Sequence, residues 1–359
     1  MSKCILVMAG GTGGHVFPGI AVADYLAEQG WRVHWLGTSA RMEAQVVPQA
    51  GYEISFIDVE GVRGNGLLRL LMAPLKLINA LRQALAVLQQ VQPDVVLGMG
   101  GYASGPGGIA AWLKRIPLIL HEQNAVPGLT NKLLAPLAQH ILTGFSSTFA
   151  GYSKAQWVGN PVRLAFKPQH KSRVQSDKPK VLVVGGSLGA QILNETLPKV
   201  VAEQSPSLAV WHQCGAGRQQ EVASLYAEAG LQDSVRVDDF VEDMATAYQW
   251  ADLVICRAGA LTVSEIAMVG VAAVFVPLPH AVDDHQTKNA QTLVKAKAAK
   301  IVAQSPRFSS ELSSTIAALI QDPQQLQNMA KAAREIAKPR ATIEVANVCA
   351  IAAGAKALI

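Results

Sequence analysis

The chain has 359 residues, half of them hydrophobic and 16% charged, with a formal net charge of +5. That length accommodates two ordinary domains with separate cores, and the composition excludes a disordered chain. No stretch approaches the roughly 18 uninterrupted apolar residues of a membrane span, and the scattered Cys4, Cys214, Cys256 and Cys349 read as reduced, buried thiols of a cytoplasmic protein.

The first predicted strand, residues 3–9, runs straight into Met8-Ala-Gly-Gly-Thr-Gly-Gly-His-Val-Phe-Pro18 and an apolar-periodic helix, so it reads as a strand and not a signal peptide. Glycines at 10, 11, 13 and 14 strip Cβ atoms from this turn, and the helix start offers N–H groups to an anion. His15 stands at the helix mouth, where a titratable imidazole is in place for acid–base work. A dinucleotide fingerprint needs glycine at position 16, which is valine, and an acid at the end of the second strand, 31–36, which instead runs into Gly37-Thr38. No Gly-x-x-x-x-Gly-Lys-Ser/Thr occurs, which excludes a P-loop ATPase.

After a strand at 54–59, residues 61–93 hold four bases and no acid. Leu67, Leu68, Leu71, Leu75, Ile78 and Leu81 make an apolar stripe, Arg69 and Lys76 share another face, and Pro74 is expected to kink or divide the helix. Residues 61–176 carry twelve Lys or Arg against Asp94 and Glu122. Such a basic half points to an anionic surface; without an aromatic-basic or helix-turn-helix pattern, a bilayer is the better reading than nucleic acid. Trp112-Leu-Lys-Arg115 adds an interfacial anchor.

Strands follow at 94–98, 117–121 and 140–143, the first ending in Gly98-Met-Gly-Gly-Tyr-Ala-Ser-Gly-Pro-Gly-Gly108 and the second in His121-Glu-Gln-Asn124. Trp157-Val-Gly-Asn-Pro-Val162 and a polar, basic stretch break the pattern. Strands resume at 180–185, 207–212, 235–240, 252–256, 272–277 and 299–303, and about 306–356 is helical. Apolar centres such as Val95-Val-Leu97 and Val181-Leu-Val-Val184 are those of parallel strands covered on both faces. The predicted fold is α/β with two doubly wound, Rossmann-like halves: 1–160, 161–340, and a terminal helix, 341–359, of undetermined packing. Ligands of such sheets sit at the carboxyl ends of the strands, so the site is expected in a cleft between the halves. Gly185-Gly-Ser-Leu-Gly-Ala190 makes a third phosphate-type loop, with Ser187 adding a hydroxyl, and Cys256-Arg-Ala-Gly-Ala-Leu-Thr-Val-Ser-Glu265 enters a helix.

These segments, in this order and together with Gly-Asn-Pro-Val-Arg163, resemble the bacterial MurG family over nearly the whole chain. The resemblance implies a GT-B fold and an inverting, metal-independent N-acetylglucosaminyltransferase that needs no cofactor. The implied reaction moves GlcNAc from UDP-GlcNAc to the C4 hydroxyl of lipid I, giving lipid II for the cell wall. An Asp-x-Asp metal motif is indeed absent from the sequence. By the same resemblance Thr12, Gly13, Gly14 and Asn124 face the donor. Arg163, Ser187 and loop amides neutralise the departing UDP. Val241 and Met244 line the uracil pocket. Ala260, Leu261, Thr262, Val263 and Ser264 lie along the sugar–diphosphate stretch, and Glu265 holds the ribose. Gln286 reads GlcNAc hydroxyls, although relatives carry Gln-Gln where this chain has His285-Gln286. Two residues are candidates for the base, His15 and Glu122, and His15 is preferred because an imidazole titrates near neutrality. The implied partners are UDP-GlcNAc, lipid I, anionic inner-membrane lipids and cell-wall or division proteins, with the chain peripheral on the cytoplasmic face. Two rival readings are a UDP-GlcNAc 2-epimerase and a non-enzymatic sugar-nucleotide sensor at the membrane.

Overall fold

The computed structural model describes residues 2–59, 67–163, 165–166, 178–186, 188–204, 208–279 and 282–358. It divides into two compact units, Met1–Leu164 with Lys338–Ile359, and Ala165–Ala337.

The first unit alternates strands and helices. In chain order these are β1 (Cys4–Ala9), α1 (Gly13–Glu28), β2 (Arg32–Gly37), α2 (Glu43–Gln49), β3 (Glu53–Phe56), α3 (Leu67–Val91) and β4 (Val95–Gly100). Then come α4 (Ser104–Leu113), β5 (Leu118–Glu122), α5 (Leu129–Leu134), β6 (His140–Thr143) and β7 (Ala155–Trp157). The seven strands are parallel in the order β3-β2-β1-β4-β5-β6-β7, so the chain reverses its winding between β1 and β4. β7 was not predicted: three residues ending in an exposed Gln156-Trp157 give no periodic signal. β3 ends at Phe56, short of the predicted 59, and α3 continues through Pro74 as one helix.

Side chains of β1 alternate between two cores, as a period of two requires. Ile5, Val7 and Ala9 join Val16, Leu26 and Trp35 on one face of the sheet. Cys4, Leu6 and Met8 join Leu36, Leu88 and Leu134 on the other. Trp35 is fully buried, and its Nε1–H donates to Ala9 O at 2.8 Å. It thus holds the end of β1 as well as filling the core, and truncating such a residue to alanine costs about 3–5 kcal/mol.

The second unit repeats the plan. Its elements are β8 (Lys180–Val184), α6 (Gln191–Glu203), β9 (Ala209–Gln213), α7 (Gln219–Glu228), β10 (Val235–Asp238) and α8 (Met244–Trp250). β11 (Leu253–Cys256), α9 (Ala260–Val269), β12 (Ala272–Phe275), α10 (His285–Lys295), β13 (Ala299–Ile301), α11 (Phe308–Ile320) and α12 (Pro323–Glu335) follow. Six parallel strands lie in the order β10-β9-β8-β11-β12-β13. The last helix, α13 (Ala341–Ala352), returns to the first unit, where Val345, Ala346, Cys349 and Ala350 share a core with α1. All four cysteines are free and buried, and burial pushes the thiols up, Cys214 to about 11 and Cys349 to about 12.

Candidate active site

In the first unit the carboxyl ends of β1 and β4 flank the point where winding reverses, and two glycine loops meet there. Gly11 has φ +94°, a conformation that favours glycine. A Cβ on Gly101 would stand 2.5 Å from Gly10 O, so only a bare backbone lets the loops touch. Ser104 ties them further, its hydroxyl contacting Met8 O at 3.0 Å and Gly100 O at 2.9 Å.

Thr12 is the N-cap of α1, exposed and without a capping side-chain bond, so Gly13 and Gly14 form the open first turn. His15 follows. Its Nδ1–H donates to Gly10 O at 3.1 Å, because a carbonyl only accepts. The other ring nitrogen, Nε2, then carries the lone pair of the neutral ring. A Cβ on Gly100 would lie 3.1 Å from that nitrogen, so the second loop packs directly beside it. Arg163 reaches the same helix, its guanidinium 5.8 Å from the Phe17 ring.

Glu122 ends β5 with only 2% of its surface exposed. Its Oε1 accepts from Asn124 N–H at 3.0 Å and Nδ2 at 3.4 Å; its Oε2 accepts from Gly128 N–H at 3.0 Å and Asn131 Nδ2 at 2.9 Å. The carboxylate organises the loop that presents Asn124. His121, beside it, donates from Nε2 to Gly159 O at 2.9 Å and accepts on Nδ1 from Gln123. Burial pushes its imidazole down to about 4, so it is neutral at pH 7.

The second unit builds its loop differently. Gly186 N–H donates to Gln213 Oε1 at 3.0 Å, and Gln213 Nε2 donates to Gly186 O at 3.0 Å and Asp239 O at 2.8 Å. Ser187 lies outside the described residues, as do the side chains of 67–73, which include Leu67, Leu68, Arg69 and Leu71. Val241, 6% exposed, and Met244 follow β10 and open α8. Gly259 caps α9, whose first turn is Ala260, Leu261 and Thr262; Val263 is buried, and the Ser264 hydroxyl returns to Ala260 O at 2.9 Å. Glu265 accepts from the Tyr248 hydroxyl at 3.4 Å. Burial, with the Glu265 charge, pushes that hydroxyl well above the usual tyrosine range and keeps it a donor. Gln286 Oε1 accepts from Leu278 N–H at 2.9 Å, and one turn on the buried Asn289 Nδ2 donates to Ala258 O at 3.2 Å, docking α10 on the loop after β11. Asp283 and Asp284, at φ +55° and +53°, turn the chain sharply into α10.

The structure therefore places Thr12, Gly13, Gly14 and His15 at the start of α1, with Arg163 over Phe17 of the same helix. Glu122 and Asn124 share the end of β5. Val241, Met244, residues 260–265 and Gln286 sit after the strands of the second unit. Three framework residues escaped the sequence reading: Glu43, Gln213 and Asn289. An acid beyond β2 was sought for a ribose. The acid is there, at position 43, with its side chain turned into the protein.

The surface of the first unit carries a further feature. Leu75, Leu77 and Ile78 of α3 and Trp112 and Leu113 of α4 are 45–70% exposed large apolar side chains, amid exposed Lys76, Lys114 and Arg115. Among the described residues no helix is long and apolar enough to cross a membrane.

Residues 5–143 match the N-terminal domain of glycosyltransferase family 28, and residues 180–344 its C-terminal domain. Two curated relatives are named UDP-N-acetylglucosamine--N-acetylmuramyl-(pentapeptide) pyrophosphoryl-undecaprenol N-acetylglucosamine transferase. That of Pseudoalteromonas atlantica is 56% identical over 97% of this chain and 95% of its own. That of Aeromonas hydrophila is 56% identical over 97% of both. The chain belongs to the MurG family. Among solved structures the MurG of Acinetobacter baumannii, 45% identical, superposes with a TM-score of 0.84 over 97% of this chain and 99% of that one. Membership makes the fold GT-B and the chain a hexosyltransferase.

Proposed function

We propose that the chain transfers GlcNAc from UDP-GlcNAc to the C4 hydroxyl of undecaprenyl-pyrophosphoryl-MurNAc-pentapeptide, with inversion, in peptidoglycan synthesis. The relatives' names support the substrates. The observation that carries the mechanism is the bond from His15 Nδ1 to Gly10 O, which leaves Nε2 as the proton acceptor. Nε2 takes the C4 hydroxyl proton as that oxygen attacks the anomeric carbon. The bond from this carbon to the diphosphate breaks, and UDP leaves with the electron pair. Glu122 is given the positioning of Asn124 and not proton abstraction, because its oxygens are already engaged by amides. The loop after β8 and the first turn of α9 suit the diphosphate, and Glu265 suits a ribose.

The exposed leucines, Ile78 and Trp112 among bases support docking on anionic lipid at the cytoplasmic face of the inner membrane. Cell-wall assembly proteins are partners consistent with that place. The deciding experiment follows labelled GlcNAc from UDP-GlcNAc into a short-chain lipid I analogue with EDTA present. Labelled disaccharide-lipid is expected. Release of free ManNAc without acceptor favours the epimerase, and binding without turnover the sensor. Co-sedimentation with phosphatidylglycerol vesicles, but not with phosphatidylcholine vesicles, tests the location.

A further inference from the structure

Glu43 is the first residue of α2, and none of its surface is exposed. A buried carboxylate persists only where hydrogen bonds compensate its lost hydration. Its Oε1 accepts from Thr38 N–H at 3.0 Å and from the Thr38 hydroxyl at 2.6 Å. Its Oε2 accepts from Gly11 N–H at 2.9 Å. That amide belongs to the same peptide group as Gly10 O, the atom that receives His15 Nδ1–H at 3.1 Å. In a trans peptide the C=O and N–H point in opposite directions. One plane therefore has the Glu43 carboxylate on one side and the His15 imidazole on the other.

The plane lies between two glycines, so no Cβ restricts the backbone torsions on either side of it, and its orientation depends on what holds its two polar ends. Rotation would aim the N–H at the imidazole. Nδ1 would then have to accept, and the proton would move to Nε2, the nitrogen that must be bare to act as base. Hydrogen bonds in series also polarise one another, so the carboxylate strengthens Gly10 O as an acceptor.

We propose that Glu43 is a positioning residue for catalysis, latching the Gly10–Gly11 peptide so that His15 keeps its proton on Nδ1 and its lone pair on Nε2. Its catalytic consequence rests on the reading of His15 as the base; the latch itself does not. Glu43→Gln is the informative variant. The amide is isosteric but has one acceptor oxygen, so Gly11 N–H or Thr38 N–H must face an NH2 group.

The test combines 15N NMR of labelled histidine with steady-state kinetics on the full chain. In the wild type His15 is expected as the Nδ1–H tautomer, with Gly11 N–H protected from exchange. A predominant Nε2–H tautomer, or a Gly11 amide exchanging like an exposed one, overturns the latch even if the variant does not fold. In Glu43→Gln a tautomer mixture is expected, with kcat down about tenfold and KM for UDP-GlcNAc within about twofold. An unchanged tautomer overturns the proposal. A changed tautomer with unchanged kcat upholds the latch and removes His15 as the base.

Discussion

The two units share one topology, yet the polar group behind each first glycine loop differs in charge. In the first unit it is the carboxylate of Glu43; in the second it is the amide of Gln213. Each comes from just beyond or at the end of the strand neighbouring the central one, β2 or β9, and each accepts a loop N–H. A carboxylate there repels a diphosphate, by about 2–3 kcal/mol per unit charge at roughly 6 Å and an effective dielectric of 20. A neutral amide carries no such penalty. Fold duplication thus leaves the second loop suited to hold UDP, while the first is suited to aim an imidazole.

If that division of labour holds, variants of the two units fail in different constants. His15→Ala is expected to have the largest effect, lowering kcat by about 10²–10⁴-fold with UDP-GlcNAc affinity within about twofold. Stopped-assay kinetics and equilibrium dialysis check it, and unchanged turnover would remove His15 from the mechanism. Glu265→Gln should do the opposite. Losing charged hydrogen bonds to a ribose, on the order of 1.5–3 kcal/mol, raises KM for UDP-GlcNAc about ten- to hundredfold with a smaller change in kcat. A pure kcat defect there would contradict the assignment of the donor to the second unit.

The charge difference can also be moved. Gln213→Glu puts a carboxylate behind the second loop and deletes the donation to Gly186 O and Asp239 O. UDP affinity measured by calorimetry is expected to fall about tenfold or more. Affinity unchanged at pH 8 would show that the loop does not hold the diphosphate.

Much of this was legible in the sequence because the elements obey short-range rules. Apolar centres and glycine turns mark nearly every strand of both sheets. His15 and residues 260–265 could be placed on their elements because each lies within two turns of a strand-to-helix junction. Glu43 could not, since its bond to Gly11, 32 residues away, forms only once β1 lies beside β2. Gln213 likewise gains meaning only when β9 lies beside β8. Glu122 was visible as a polar residue on an apolar strand, but its enclosure by Asn124, Gly128 and Asn131 is a property of the folded loop.

The smallest effect at neutral pH concerns a feature in which the units agree. Each buries a neutral histidine on a strand: His121 on β5, donating to Gly159 O, and His212 on β9, held between Tyr226 and Asn194. Burial pushes their imidazoles down to about 4 and about 3. The unfolded chain binds protons at these sites first as pH falls, so their stability contribution is full above about pH 6.5 and declines below it. The loss continues toward pH 4 for His121 and toward pH 3 for His212, and amounts to about 2 kcal/mol for each at pH 5. Urea unfolding should therefore show nearly constant stability from pH 8 to 7 and a steep fall between 6 and 5. His121→Gln should flatten the slope for the first unit while leaving that of the second, because the two histidines lie in separate cores. A single transition whose pH slope fell by about half would mean that the two halves unfold as one.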